Sequence, residues 1–137
     1  MPVARSPFQY AVLRVVPRIE RGECFNAGVV LFCRPRRFLR ARVGLDTRRL
    51  EALAPDVDAA VLSAHLDGLV AVADGKPSAG PIAALDQSER FHWLVAPAST
   101  MLQASPVHTG LCEEPAEALG RLFRAMVAPV GAGPGGA

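Results

Sequence analysis

"FQYAVLRVVPRIERGECFNAGVVLFCRPRRFLRARVGL", residues 8–45, decides the fold. It holds three apolar runs separated by two short polar breaks. In the first run, Phe8, Tyr10, Val12 and Val16 alternate with Ala11, Leu13 and Val15. Both alternating sets are apolar, which suits a strand covered on both faces. Pro17 ends the run, and Gly22 supplies the turn in "RIERGE". The second run, "CFNAGVVLFCR" (24–34), reads as another central strand, and Gly28 inside it marks a bulge or a close backbone approach. In the third, "FLRARVGL" (38–45), Leu39, Ala41, Val43 and Leu45 point one way and Arg40 and Arg42 the other. That alternation means one buried face and one wet face. Connections this short join antiparallel neighbours, so the three runs form a meander.

Downstream the period changes. Asp46 caps a short helix through about Leu53, and Pro55 opens a longer one. Val57, Val61, Leu62, Leu66, Leu69, Val70 and Ala73 follow helical spacing, and Gly75 terminates the helix. "GKPSAGPIAALDQSE" reads as a Pro/Gly-rich loop, and "RFHWLVA" (90–96) as a fourth strand. Pro115 starts a last helix with the stripe Leu119, Leu122, Phe123, Met126 and Val127. The order predicts an α+β fold, an antiparallel sheet of about four strands with two to three helices packed on it. Residues 1–128 are expected to form one domain, and "PVGAGPGGA" (129–137) a disordered tail.

Composition narrows the class. Half of the 137 residues are apolar, enough for a sizeable core and too many for global disorder. No apolar run reaches the roughly 18 residues of a membrane span. "FQYAVLRVV" is interrupted by Gln9 and Arg14 and lacks a cleavage site, so a cytoplasmic location without membrane partners is expected. The odd count of Cys24, Cys33 and Cys112 points to free thiols. Neither a C-x-x-C nor an H-x-x-H spacing is present, and there is no phosphate-binding glycine loop, so neither a metal nor a cofactor is expected.

Charge is uneven along the chain. Residues 1–50 carry eleven Arg against three acids, whereas residues 51–137 carry four cations against ten acids. The halves either pack together or leave a basic face for an anionic partner. The densest basic region runs from Arg34 to Arg49, and Arg36, Arg37, Arg40 and Arg42 are its candidate binding residues. Nucleic acid is one possible partner, although only Phe38 is placed to stack a base.

Three histidines are candidates for chemistry. His65 sits beside the apolar stripe of the long helix, and His92 alternates with Phe91 and Trp93, so both read as partly buried packing residues. His108 follows Ser105 and precedes Thr109 in a polar loop, where an imidazole can act as a base or hold an anion. A hydrolase or transferase at His108 is the catalytic alternative. The serine lies in no G-x-S-x-G elbow, and His108-Thr109-Gly110 is not a repeated H-x-[ST] motif. A binding role is therefore favoured over an enzymatic one.

The ordered elements "YAVLRVVP", "RGECFNAGVVLF", "RFHWLVAPASTMLQASPVHTG" and "LGRLFRAMV" together resemble the bacterial domain-of-unknown-function family 3037 from about Phe8 to Val127. The motifs that carry the resemblance are Arg21, Gly22, Glu23, Asn26 and Gly28, and Ser105 to Gly110. The resemblance implies a small bacterial protein with no assigned activity, and a protein similar to HipA-like kinases as partner. It also makes Asn26, Ser105, His108 and Thr109 shared polar features, which would meet at one end of the sheet in a composite pocket. The resulting expectation is a non-catalytic accessory module that binds another protein.

Overall fold

β1 (Ser6–Val15) is the hub of the sheet. On one side it pairs with β2 (Phe25–Cys33), which pairs in turn with β3 (Phe38–Val43). On the other side β4 (Leu102–Ala104) covers its end from Leu13 to Val15, and β5 (His108–Cys112) covers Ser6 to Tyr10. Every pairing is antiparallel. The helices are α1 (Thr47–Leu53), α2 (Ala59–Asp74), α3 (Gln87–Val95) and α4 (Pro115–Met126). This computed structural model describes residues 4–98 and 100–128, so the tail expected from Pro129 onward lies outside the described residues. The α+β class holds, with five strands and four helices among the described residues.

The sheet is buried on both faces at its centre, as the continuous apolar runs require. On one face Ala11, Leu13, Val30, Phe32, Leu39 and Ala41 pack against Val72 and Ala73 of α2 and Phe91 and Leu94 of α3. On the other, Phe8, Val29, Leu31 and Cys33 pack against Ala118 and Leu119 of α4. The register slips between Leu13, opposite Gly28, and Arg14, opposite Asn26, which leaves Ala27 as the extra residue of a bulge. The slip keeps Phe25 and Ala27 in one cluster with Val15, Leu50, Leu62 and Leu66. Gly28 sits where a Cβ would lie 2.9 Å from Val43 Cγ1 and 3.0 Å from the Arg42 carbonyl oxygen. The close approach anticipated at this glycine is thus a contact with β3.

Two elements depart from the sequence reading. "RFHWLVA" is not a strand, because residues 87–95 form α3. The Asp86 carboxylate caps this helix by accepting the Glu89 amide at 2.8 Å. Arg90, Phe91 and Leu94 then turn inward at helical spacing, while His92 and Trp93 face out. The aromatic residues favour a strand, but packing on the sheet overrides their propensity. The fourth and fifth strands come instead from 102–112, which runs in one direction along a single edge of β1 and is interrupted at Ser105, Pro106 and Val107. A smaller shift concerns α2, which starts at Ala59 and not at Pro55, because the Asp58 carboxylate accepts the Ala60 amide at 2.9 Å.

No helix among the described residues is long and apolar enough to cross a membrane.

Candidate functional site

Ser105 is a structural residue at the break between β4 and β5. It is buried, and its Oγ accepts the Val12 amide at 2.9 Å and donates to the Pro106 carbonyl at 2.9 Å. Its own amide donates to the Val12 carbonyl at 2.8 Å. These bonds hold the break between β4 and β5 against β1, so that both strands follow the same edge.

His108 and Thr109 belong to β5 and not to a loop, opposite Tyr10 and Gln9. Both are exposed, and the His108 ring lies 5.3 Å from that of Tyr10. Asn26 is elsewhere, since its Nδ2 donates to the Met126 carbonyl at 2.9 Å and holds the end of α4 to β2. Asn26 and His108 flank β1 from opposite sides, level with Arg14 and Tyr10. Four residues along a strand and two strand spacings across put them roughly 16 Å apart. The composite pocket is therefore not formed.

Two substitutions separate these roles. Ser105→Ala removes the partner of a buried amide and is expected to cost about 1–2 kcal/mol. His108→Ala is expected to stay within about 0.5 kcal/mol, as exposed substitutions usually do. Chemical denaturation of both variants checks the contrast, and equal losses would contradict it.

The arginine region is also divided. Arg36 Nε donates to Ser6 Oγ at 3.1 Å and its Nη2 to the Ala4 carbonyl at 3.2 Å, tying down the chain before β1. The Arg42 guanidinium lies 4.5 Å above the Phe123 ring of α4. Arg37 and Arg40 instead line a hollow with Lys76 and Arg90. The basic and acidic halves pack together, as the Arg18–Asp56 ion pair at 2.5 Å illustrates.

His65 and His92 are exposed on helices, contrary to the packing roles expected for them. His92 Nδ1 donates to the Ser88 carbonyl at 2.7 Å. Among the described residues no histidine pairs with a carboxylate. The thiols are free, with Cys33 and Cys112 buried and Cys24 exposed. Burial, and then the neighbouring Cys33, raise the Cys112 thiol above its ordinary pKa, which keeps it protonated and unreactive.

The best-formed concavity lies between α2, α3 and β4. It is a cleft of about 330 Å³ with Leu69 and Leu94 inside it and His65, Trp93, Thr100 and Gln103 around them. Among the described residues no carboxylate, Lys or Arg lines it. Gln103 Nε2 donates to the Thr100 carbonyl at 2.9 Å, and Thr100 Oγ1 to the Leu102 carbonyl at 2.7 Å, so the β4 side is braced. Trp93 remains 46 % exposed at this cleft. Val61, one helical turn before His65, and Met101 beside Thr100 are exposed as well. Trp93, Lys76 and Arg90 do not stand out in the sequence as binding residues. The signal that could find Trp93 and Arg90 is Asp86 followed three residues later by Glu89, a helix-start pattern that puts Gln87, Arg90 and Trp93 on successive turns.

No curated protein and no solved structure matches the chain. A family model described as a protein of unknown function, DUF3037, matches residues 10–127. The match spans all five strands and four helices apart from the first residues of β1. The chain therefore belongs to the DUF3037 family.

Proposed function

We propose that the protein is a non-catalytic binding module, an accessory to another protein in a bacterial cytoplasm, and that it engages this partner through the Trp93 cleft. The cleft accepts one bulky apolar or aromatic side chain of the partner. The observation that carries this reading is Trp93 itself, the sole tryptophan, left 46 % exposed beside a cleft that no carboxylate, Lys or Arg lines among the described residues. Anchors of this kind concentrate binding energy, because a large rigid ring gives apolar contact at low entropic cost. The largely apolar lining suits a neutral anchor, since a charged one would lose its hydration without a carboxylate, Lys or Arg to offset it. Exposed Val61 and Met101 extend the apolar surface beyond the cleft.

The two rivals have less support. The arginines form no continuous strip, because Arg36 is engaged with the N-terminal segment and Arg42 with Phe123. His108 has a ring neighbour in Tyr10 but, among the described residues, no carboxylate paired with it to orient it as a general base.

The test uses the neutral apolar dye N-phenyl-1-naphthylamine, whose uptake quenches nearby tryptophan emission. Saturable uptake with quenching of Trp93 is expected. Leu69→Glu should abolish it with the circular dichroism unchanged. Trp93→Ala should weaken affinity roughly 30-fold for a peptide selected on the wild-type protein, the scale of a hot-spot residue. Equal uptake by the wild type and Leu69→Glu would contradict the proposal.

A further inference from the structure

A second site lies where the end of α2, the first turns of α3 and the start of β3 come together. It is a hollow of about 410 Å³ lined by Arg37, Arg40, Lys76 and Arg90, together with Asp74 and Gln87. Four cations face one acid, and none of the four forms an ion pair among the described residues.

Arg90 is the informative member. It is only 9 % exposed. Its Nη1 donates to the Leu85 carbonyl at 2.6 Å and its Nη2 reaches the Ala73 carbonyl at 3.4 Å, while its Nε is buried without a partner. Carbonyls accept its hydrogens but do not neutralise its charge, and a buried charge is normally paired. The negative end of the α2 dipole takes up part of that charge but leaves Nε unbonded. Asp86 feels the Arg90 charge, yet its carboxylate is engaged in capping α3 and forms no ion pair among the described residues. A buried guanidinium met only by carbonyls, beside three further unpaired cations, leaves the hollow with an excess of positive charge that an anion would neutralise.

The backbone around the hollow is arranged for the same purpose. Arg37 has φ 51° and ψ 44°, the left-handed region, and is the sole non-glycine with positive φ among the described residues. Gln87 Nε2 secures it by donating to the Arg37 carbonyl at 2.8 Å. Strain of this kind persists where the surroundings enforce it, often at binding sites. β3 is the outer strand, so part of its backbone N–H row faces this edge without a strand partner.

From this we propose that the hollow binds the dianionic phosphoryl group of a phosphomonoester, in a site separate from the Trp93 cleft. Four cations in one concavity suit a compact ion of more than one charge, and the arginine fork matches phosphoryl oxygens. A nucleic-acid strand fits less well. The one aromatic ring at the hollow, Phe38, already carries the Arg40 guanidinium 5.8 Å above it, so no free platform remains for a base.

The experiment is calorimetric titration with sodium phosphate, N-acetyl-phosphoserine amide and a single-stranded thymidine oligonucleotide, with sodium chloride at matched ionic strength as the control. Phosphate and phosphoserine amide are expected to bind saturably. Tighter binding of the phosphoserine amide identifies a phosphorylated side chain as the source, and equal binding identifies free phosphate. Arg37→Gly with Lys76→Gln removes two exposed cations, and glycine suits the left-handed backbone, so this variant keeps the fold. It should weaken phosphate binding at least about tenfold, the equivalent of 1.4 kcal/mol. Arg90→Gln should do the same where it folds. The proposal is overturned if phosphate acts no differently from chloride, if the double variant binds it as the wild type does, or if the oligonucleotide binds more tightly than the phosphoserine amide.

Discussion

Replacing Phe91 with Ala is expected to cost about 3–5 kcal/mol, the range for deleting a fully buried aromatic ring. For a chain of this size that lowers the melting temperature by about 10–20 °C. Phe91 is 1 % exposed, and its ring lies 5.3 Å from that of Phe32 in β2. α3 is only nine residues long, too short to persist without tertiary contacts. Phe91 and Leu94 are the two apolar side chains that bury it, so Phe91→Ala also loosens both candidate sites, which take Arg90 and Trp93 from this helix. Thermal unfolding followed by circular dichroism measures the loss. A cost below about 1 kcal/mol would mean that α3 is not docked through Phe91. Trp93→Ala, two residues further on, removes a half-exposed ring and should stay within about 1 kcal/mol.

Gly28→Val should cost about 3 kcal/mol, at the upper end of the usual range for overpacking. The first added carbon would stand 2.9 Å from Val43 Cγ1, 3.0 Å from the Arg42 carbonyl oxygen and 3.3 Å from Leu13 Cδ1. The carbonyl belongs to the β2–β3 ladder and cannot rotate away, so β3 must shift as a unit. Because Arg37 and Arg40 stand on or beside β3, the variant should also lose phosphate affinity. Denaturant unfolding gives the stability change, and a stability equal to the wild type's would show that β3 can yield there at no cost.

The meander is legible in the sequence because burial on both faces writes itself as continuous apolar runs. The half-wet face of β3 likewise appears as Arg40 and Arg42 alternating with Leu39, Ala41 and Val43. The role of Gly28 is legible too, since a glycine inside an apolar strand marks a bulge or a close backbone approach, and both occur beside it. α3 does not read as a helix because Phe91, His92, Trp93 and Val95 are aromatic, imidazole or β-branched, and local propensity favours a strand. Only the Asp86 cap and the inward spacing of Phe91 and Leu94 argue for the helix. β4 and β5 have three and five residues, too few for alternation to show.

The sites are less legible than the fold. Ser105, His108 and Asn26 draw attention as polar residues, yet a hydroxyl that holds a strand edge and one that binds a ligand look the same in sequence. The hollow joins Arg37 and Arg40 of the basic half to Lys76 and Arg90 of the acidic half. Those residues meet only because α2 and α3 lie over the β2–β3 side of the sheet. The charge asymmetry is visible along the chain, but its consequence depends on topology.

α3 thus contributes to both proposed sites, the apolar cleft at Trp93 and the cationic hollow at Arg90. Nitrogen-15 NMR tests this directly, because the sole indole N–H reports on the cleft and the buried Arg90 Nε–H reports on the hollow. Titration with phosphate should shift the Arg90 Nε–H and the Gln87 side-chain amide and leave the indole unmoved. Titration with the neutral naphthylamine dye should shift the indole and leave Arg90 unmoved. Shifts spread evenly over the surface in both titrations, or no movement of either reporter, would contradict the two-site reading.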